Sequence, residues 1–126
     1  MTNFSKVHIM ELSDLTDHRP WGYFIILSDE PDHKVKRIVV YPGKRISLQR
    51  HNHRNEHWFV ISGEILATVG NDVIHLQAGE SIDIPLGAVH RLENPGTVEA
   101  IFVEIQRGDY FGEDDIERLE DDFGRA

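Results

Sequence analysis

The stretch SLQRHNHRNEHWFVISG, residues 47–63, gathers three histidines, a glutamate, a glutamine and two arginines in one apolar-flanked segment. Imidazole nitrogens and carboxylate oxygens are donors suited to divalent Zn, Mn, Fe, Co or Ni. A β-strand puts residues two apart on one face, so a pair at that spacing can deliver both donors to a single pocket. Two pairs qualify, Gln49 with His51 and His51 with His53. A solvated histidine-rich loop would show the same residue types, so this segment alone does not decide. The later segment GESIDIPLGAVHRLEN, residues 79–94, shifts the balance toward a metal site. It adds His90 after a Pro-x-Gly turn, where a strand would return toward the same pocket.

These residues need strands to hold them, and the chain supplies short ones. YFIIL (23–27), HKVKRIVVY (33–41), WFVISG (58–63), EILATVG (64–70), VIHLQ (73–77), SIDI (81–84) and EAIFVEIQ (99–106) are rich in β-branched and aromatic residues. Gly, Pro, Asn and Asp fill the gaps between them. Regularly spaced short strands predict an all-β sandwich or barrel rather than βαβ units. The tail GEDDIERLEDDFGRA reads differently. Ile116, Leu119 and Phe123 recur at i, i+3 and i+7, acids open the segment, and Gly124 can stop it. That pattern predicts a short C-terminal helix over about 112–124.

Length and composition bound the partners. One domain over residues 1–126 is expected, with 40% hydrophobic residues to fill a core. There is no cysteine, which excludes disulfides and thiolate metal sites. The net charge is −9, of which −5 falls in residues 112–126. An acidic chain without a basic stripe argues against nucleic acid and anionic membranes, although a few local Arg or Lys residues can still hold a small anion. No apolar run approaches the roughly 20 residues of a membrane helix. Residues 1–14 show no signal-type apolar stretch, so a cytoplasmic location is expected.

The two histidine segments resemble the paired motifs of the cupin superfamily. Gly43, His51, Glu56 and Gly63 fit the first motif, with Gln49 where a histidine is usual and His53 outside the frame. Gly79, Pro85, Gly87, His90 and Asn94 fit every position of the second. The resemblance implies a double-stranded β-helix, or jelly-roll barrel, with a motif-bearing core over about 19–111. It also implies one divalent metal ion, zinc first, with Mn, Co, Ni or Fe as alternatives. Gln49, His51, Glu56 and His90 would be its ligands. Two neutral imidazoles, a carboxylate and an amide would leave a divalent ion at a formal charge of +1, still able to polarise a carbonyl or hydroxyl oxygen.

A narrower resemblance lies in RPWG (19–22), KRIVVYPGKRISLQRHNHRNEHW (36–58), IPLGAVHRLENPG (84–96) and GEDDIERLEDDFGR (112–125). Together they are similar to the cupin region of type II mannose-6-phosphate isomerases. In many members that region follows a mannose-1-phosphate guanylyltransferase region. No glycine-rich phosphate loop occurs here, so guanylyltransferase activity is not expected of this stand-alone cupin. The implied activity interconverts mannose 6-phosphate and fructose 6-phosphate through an enediol, with a small phosphorylated sugar as partner. A homodimer is the family-level expectation.

The chemistry needs a polarised oxygen, a base that returns its proton, and a cationic grip on phosphate. The resemblance singles out Arg91 as the contact to enediolate or phosphate, and His53 is the first choice for acid–base work. His57, beside Glu56, is expected on the opposite face in a supporting or substrate-facing role. Lys36 is either a solubilising strand lysine or a phosphate contact. Glu104 is an alternative base if it and Phe102 face the pocket, and Trp21 and Trp58 read as core or pocket wall. Two other functions remain open: an Fe(II) dioxygenase built on His51, Glu56 and His90, and a non-enzymatic sugar-binding cupin with a structural metal.

Overall fold

The computed structural model describes residues 16–112 and 114–124. The reading of residues 1–14 as free of a signal-type stretch falls outside that span. Eleven strands follow in order: β1 Thr16–Arg19, β2 Gly22–Asp29, β3 His33–Val40, β4 Leu48–Arg50, β5 Arg54–Ser62, β6 Glu64–Val69, β7 Asp72–Gln77, β8 Ser81–Ile84, β9 His90–Glu93, β10 Ala100–Gly108 and β11 Glu117–Glu120. They form a six-stranded sheet, β1-β2-β3-β10-β5-β8, and a five-stranded sheet, β11-β4-β9-β6-β7. Every pairing is antiparallel. The sequence order of strands is interleaved between sheets, so β10 sits between β3 and β5 although it is the second-last strand.

The sheets face each other through alternating side chains. From the first sheet come Phe24, Ile38, Trp58, Val60, Ile84 and Phe102, and from the second Ile65, Ala67, Leu76 and Leu92. Burying each large side chain of this kind is worth about 1.5–3 kcal/mol. Tight connections close one flank. Between β5 and β6 the chain turns at Gly63, whose φ of 76° and 2.7 Å approach of a notional Cβ to the Glu99 carbonyl leave room only for glycine. That flank holds β8 and β7. The opposite flank therefore carries β1, β2 and β3 on one sheet and β11 on the other.

The predicted C-terminal helix is not formed, and no helix occurs among the described residues. Residues 117–120 instead extend as β11 along the edge of β4, pairing Glu117 with Arg50, Arg118 with Gln49 and Glu120 with Leu48. The acids that favour a helix start find arginines here. Arg50 Nε donates to Glu117 at 2.7 Å, Arg91 Nη1 to Glu120 at 2.8 Å, and Arg45 Nε to Asp122 at 2.6 Å. An isolated helix would leave those acids in water and its half-apolar stripe uncovered. Pairing with an open strand edge, with cations alongside, overrides the local pattern. Ile116 lines the pocket and Phe123 packs against the core, but Leu119 is exposed, as alternation rather than helical spacing requires.

Candidate metal centre

Strand alternation builds the centre from β5. Arg54, Glu56, Trp58 and Val60 point inward and are buried, while Asn55, Phe59 and Ile61 face out. His90 enters from the facing sheet at the start of β9, and His51 lies just past the end of β4. One ligand atom from each of His51, Glu56 and His90 lies within 4.8 Å of the others. His51 Nε2 is 3.2 Å from one Glu56 oxygen, and His90 Nε2 is 3.8 Å from the other.

Backbone carbonyls fix both rings. His51 Nδ1 donates to the Asp115 carbonyl at 2.7 Å, and His90 Nδ1 donates to the Ala88 carbonyl at 2.9 Å. Each ring therefore carries its proton on Nδ1 and turns an Nε2 lone pair inward, the arrangement that second partners impose on metal-binding histidines. The Pro-x-Gly turn makes this possible. Gly87, at φ 77°, lets the chain reverse so that its N–H donates to the His51 carbonyl at 2.9 Å and Ala88 N–H donates to Pro85. Asp115 also accepts the N–H groups of Asn52 and His53 at 3.0 Å each. Burial opposes ionisation of Asp115, but those two N–H groups hold its carboxyl below the usual range.

The donor set fits a cation. Two lone pairs and a carboxylate converge in a buried space, and acceptors crowded this way repel one another unless positive charge lies among them. Arg54 supplies part of it, its Nε 3.1 Å from Glu56 and its Nη2 3.3 Å from His51 Nε2. Trp58 Nε1 donates to the other Glu56 oxygen at 3.0 Å. Burial raises the Glu56 carboxyl, yet positive charge beside it, the Arg54 guanidinium included, pulls the other way and holds Glu56 well below the carboxylate range. Burial, above all, depresses His90, which favours the neutral form that a ligand needs. The Gln49 amide nitrogen donates to Ser47 Oγ at 2.9 Å, so its oxygen is the atom left to join His51, Glu56 and His90.

Gln49, Arg54, Glu56 and His90 line one pocket, whose empty space including its solvent-filled mouth is about 590 Å³. Its wall carries Arg19, Lys36, Arg54 and Arg118 against two carboxylates, Glu56 and Glu104. A protein of net charge −9 thus presents a cationic interior. Glu104 is buried beside Lys36 on β3 and accepts a hydrogen bond from Gln106 Nε2. Burial first, and the charge of Glu56 second, push its carboxyl up to about 7. Lys36, Arg54 and Gln106 pull the other way without cancelling this.

The remaining expected site residues divide. Lys36 and Glu104 face the pocket, and Lys36 is no edge lysine, because β3 lies between β2 and β10. Arg91 does not reach the pocket. Alternation along β9 turns it away from His90, and it is held by the Ile46 carbonyl at 3.0 Å, Glu120 Oε1 at 2.8 Å and the Glu120 carbonyl at 3.1 Å. His53 lies in the exposed loop before β5, 3.4 Å from Asp109 and edge-on to Tyr110. His57 is on the outer face of β5, paired with Asp83 at 2.6 Å. Neither histidine lines the pocket. Arg54 and Trp58 were readable as neighbours of Glu56, since Arg54-x-Glu56-x-Trp58 is a period-two run. Arg118 was hidden by the helical reading of the tail.

The profile of a family described as "Mannose-6-phosphate isomerase C-terminal" matches residues 8–121. The chain is 48% identical over 109 residues to the xanthan biosynthesis protein XanB of Xanthomonas campestris pv. campestris (strain B100), covering 86% of this chain and 23% of that protein. It is 44% identical over 119 residues to mannose-1-phosphate guanylyltransferase 2 of Escherichia coli O157:H7, covering 89% and 25%. The chain thus spans about a quarter of the length of these relatives. Among solved structures it is similar to a conserved protein with a double-stranded β-helix domain from Klebsiella pneumoniae, at TM-score 0.72 and 26% identity over 88% of this chain and 96% of that one. Bacillus subtilis oxalate decarboxylase, at TM-score 0.73 and 23% identity over 86% and 31%, shares the fold.

Proposed function

The chain belongs to the family of mannose-6-phosphate isomerase C-terminal domains, and on that premise we propose that it is a metal-dependent isomerase of mannose 6-phosphate and fructose 6-phosphate. The observation that carries this reading is Glu104. A buried carboxyl poised near pH 7 shares one pocket with Glu56 and His90 of the candidate metal centre, and a proton carrier with that poise is what an aldose–ketose isomerisation needs.

His51, Glu56, His90 and the Gln49 oxygen would hold the ion, zinc being the first choice for this nitrogen-rich set. When bound, it supplies Lewis acidity toward a substrate oxygen. Glu104 takes the proton from C2 of the aldose, and the released electron pair becomes the C1–C2 double bond of the enediol. Returning the same proton to C1, while the hydroxyl proton passes from O2 to O1, gives the ketose. Arg54 steadies the negative charge that develops on the oxygens. Its Nη1 is buried without a hydrogen-bond partner among the described residues, a donor ready for a substrate oxygen.

The test is metal analysis of the purified protein followed by a coupled assay with mannose 6-phosphate. Turnover that disappears in Glu104→Gln with metal content intact supports the reading. Oxygen consumption by the iron-loaded protein would move the case to a dioxygenase. Sugar binding without turnover at full metal occupancy would move it to a binding module.

A further inference from the structure

The pocket is polarised. On the six-stranded sheet, Glu56 sits on β5 and Glu104 on β10, whereas Lys36 lies on β3 and Arg19 ends β1. On the facing sheet, one row runs His90, Gln49, Arg118 across β9, β4 and β11. Because β11 and β1 occupy the same flank, Arg118 and Arg19 line the end of the pocket away from β5, and Lys36 lies between that end and Glu104. Phe24 marks that end: the Lys36 ammonium lies 4.2 Å and the Arg19 guanidinium 5.3 Å from its ring centroid. Arg19 is also bound to Asp17 at 2.6 and 3.1 Å, which spends much of its charge. Lys36 is 5% exposed, an ammonium too buried to be a solubility device.

We propose that Arg118, carried into the pocket by β11, is the phosphate-recognising residue, with Lys36 opposite it and Arg19 at the rim. This rests on the reading of the pocket as a sugar-phosphate site. A hexose 6-phosphate has its reacting carbons at one end and its phosphate at the other, which matches a pocket with proton carrier and metal ligands at one end and cations at the other. Arg118 suits the task because its planar fork can hold two phosphate oxygens at once. Alternation sets Arg118 opposite to Glu117, and the bulge between Arg118 and Glu120 turns Glu120 outward as well: those acids meet Arg50 and Arg91 outside the pocket, and Arg118 lines its wall.

The experiment titrates chelator-treated protein with inorganic phosphate and with mannose 6-phosphate by calorimetry, so that the metal cannot contribute to phosphate binding. Arg118→Gln should weaken both by about 10- to 100-fold, the range of a lost charge-assisted hydrogen bond, and Arg118→Lys should recover part of it. Lys36→Met, read in parallel, should weaken both ligands less. Unaltered phosphate binding in Arg118→Gln would overturn the proposal, and so would an equal loss for unphosphorylated mannose. If the unmutated protein binds mannose 6-phosphate without isomerising it, and Arg118→Gln still weakens that binding, the phosphate subsite stands and the isomerase reading falls.

Discussion

Glu104→Gln should make the protein more stable and less active, and the gain in stability should appear only as the pH rises. In the folded chain the Glu104 carboxyl is pushed from 4.5 up to about 7, by burial first and then by the charge of Glu56. The sign follows from proton counting. Between those two values the folded state holds a proton that the unfolded state has released, so raising the pH through this window drains stability. Below about 4.5 both states are protonated and Glu104 costs nothing. Above about 7 the folded state carries an ionised carboxylate in a buried site, and the penalty reaches its full size. A displacement of this size corresponds to about 3 kcal/mol. Glutamine has nearly the same shape, can still accept from Gln106, and never ionises.

The assay is urea unfolding of parent and variant, both chelator-treated, at pH 5 and pH 8. Subtracting variant from parent at each pH removes the other titrating groups, including Glu56, whose depressed carboxyl acts in the opposite sense. The variant should exceed the parent by up to about 3 kcal/mol at pH 8 and by much less at pH 5. Adding zinc should shrink the difference at pH 8, since neutralising Glu56 removes the second cause of the Glu104 shift. A difference equal at both pH values would refute the assignment of Glu104 as a strained, near-neutral carboxyl. Turnover in the same variant should fall by about 10²- to 10⁴-fold, the usual worth of a general base.

Other substitutions separate the centre from its frame. His51→Ala and His90→Ala should each strip most of the bound metal, measured by elemental analysis; unchanged occupancy in both would remove them as ligands. Gln49→His should retain metal and change turnover, because imidazole replaces a weaker amide donor while the rest of the set stays in place; loss of metal would contradict the placement. Arg91→Lys should leave turnover within a few-fold of the parent and lower stability by about 1–2 kcal/mol, since it loses its fork on Glu120 and the Ile46 carbonyl; a turnover loss of 10²-fold or more would return Arg91 to the chemistry.

Much of this was legible in the residues, because the strands that matter most announce themselves. β3, β5, β6 and β10 are apolar, β-branched and bounded by turn residues, and the motif frame selects His51 and His90 from eight histidines and adds Glu56. The polar strands were harder. β4 is three residues long, β9 reads HRLE, and each is a strand only because its neighbours supply a ladder. Arg91 was misleading for a related reason. Standing next to His90 in sequence places it on the other face of β9, so adjacency to a ligand on a strand argues against sharing its pocket. His57 likewise faces outward on β5, and His53 lies in the loop before it, so neither lines the pocket.

The tail shows how charge decides between two local structures. Its acids are compatible with a helix start, and nothing within residues 112–124 says otherwise. What the segment cannot reveal is that Arg45, Arg50 and Arg91 wait on other parts of the second sheet. Exposed ion pairs of this kind are each worth little, roughly 0–1 kcal/mol, so they cannot drive the fold alone. They select among alternatives that the backbone ladder already makes comparable. The consequence reaches the centre itself, because the same segment lends the Asp115 carbonyl to His51 and sets Arg118 in the pocket wall. The acidic tail therefore pairs with Arg45, Arg50 and Arg91 outside, while Arg19, Lys36, Arg54 and Arg118 line the pocket wall, which is how a protein of net charge −9 can hold a cationic pocket.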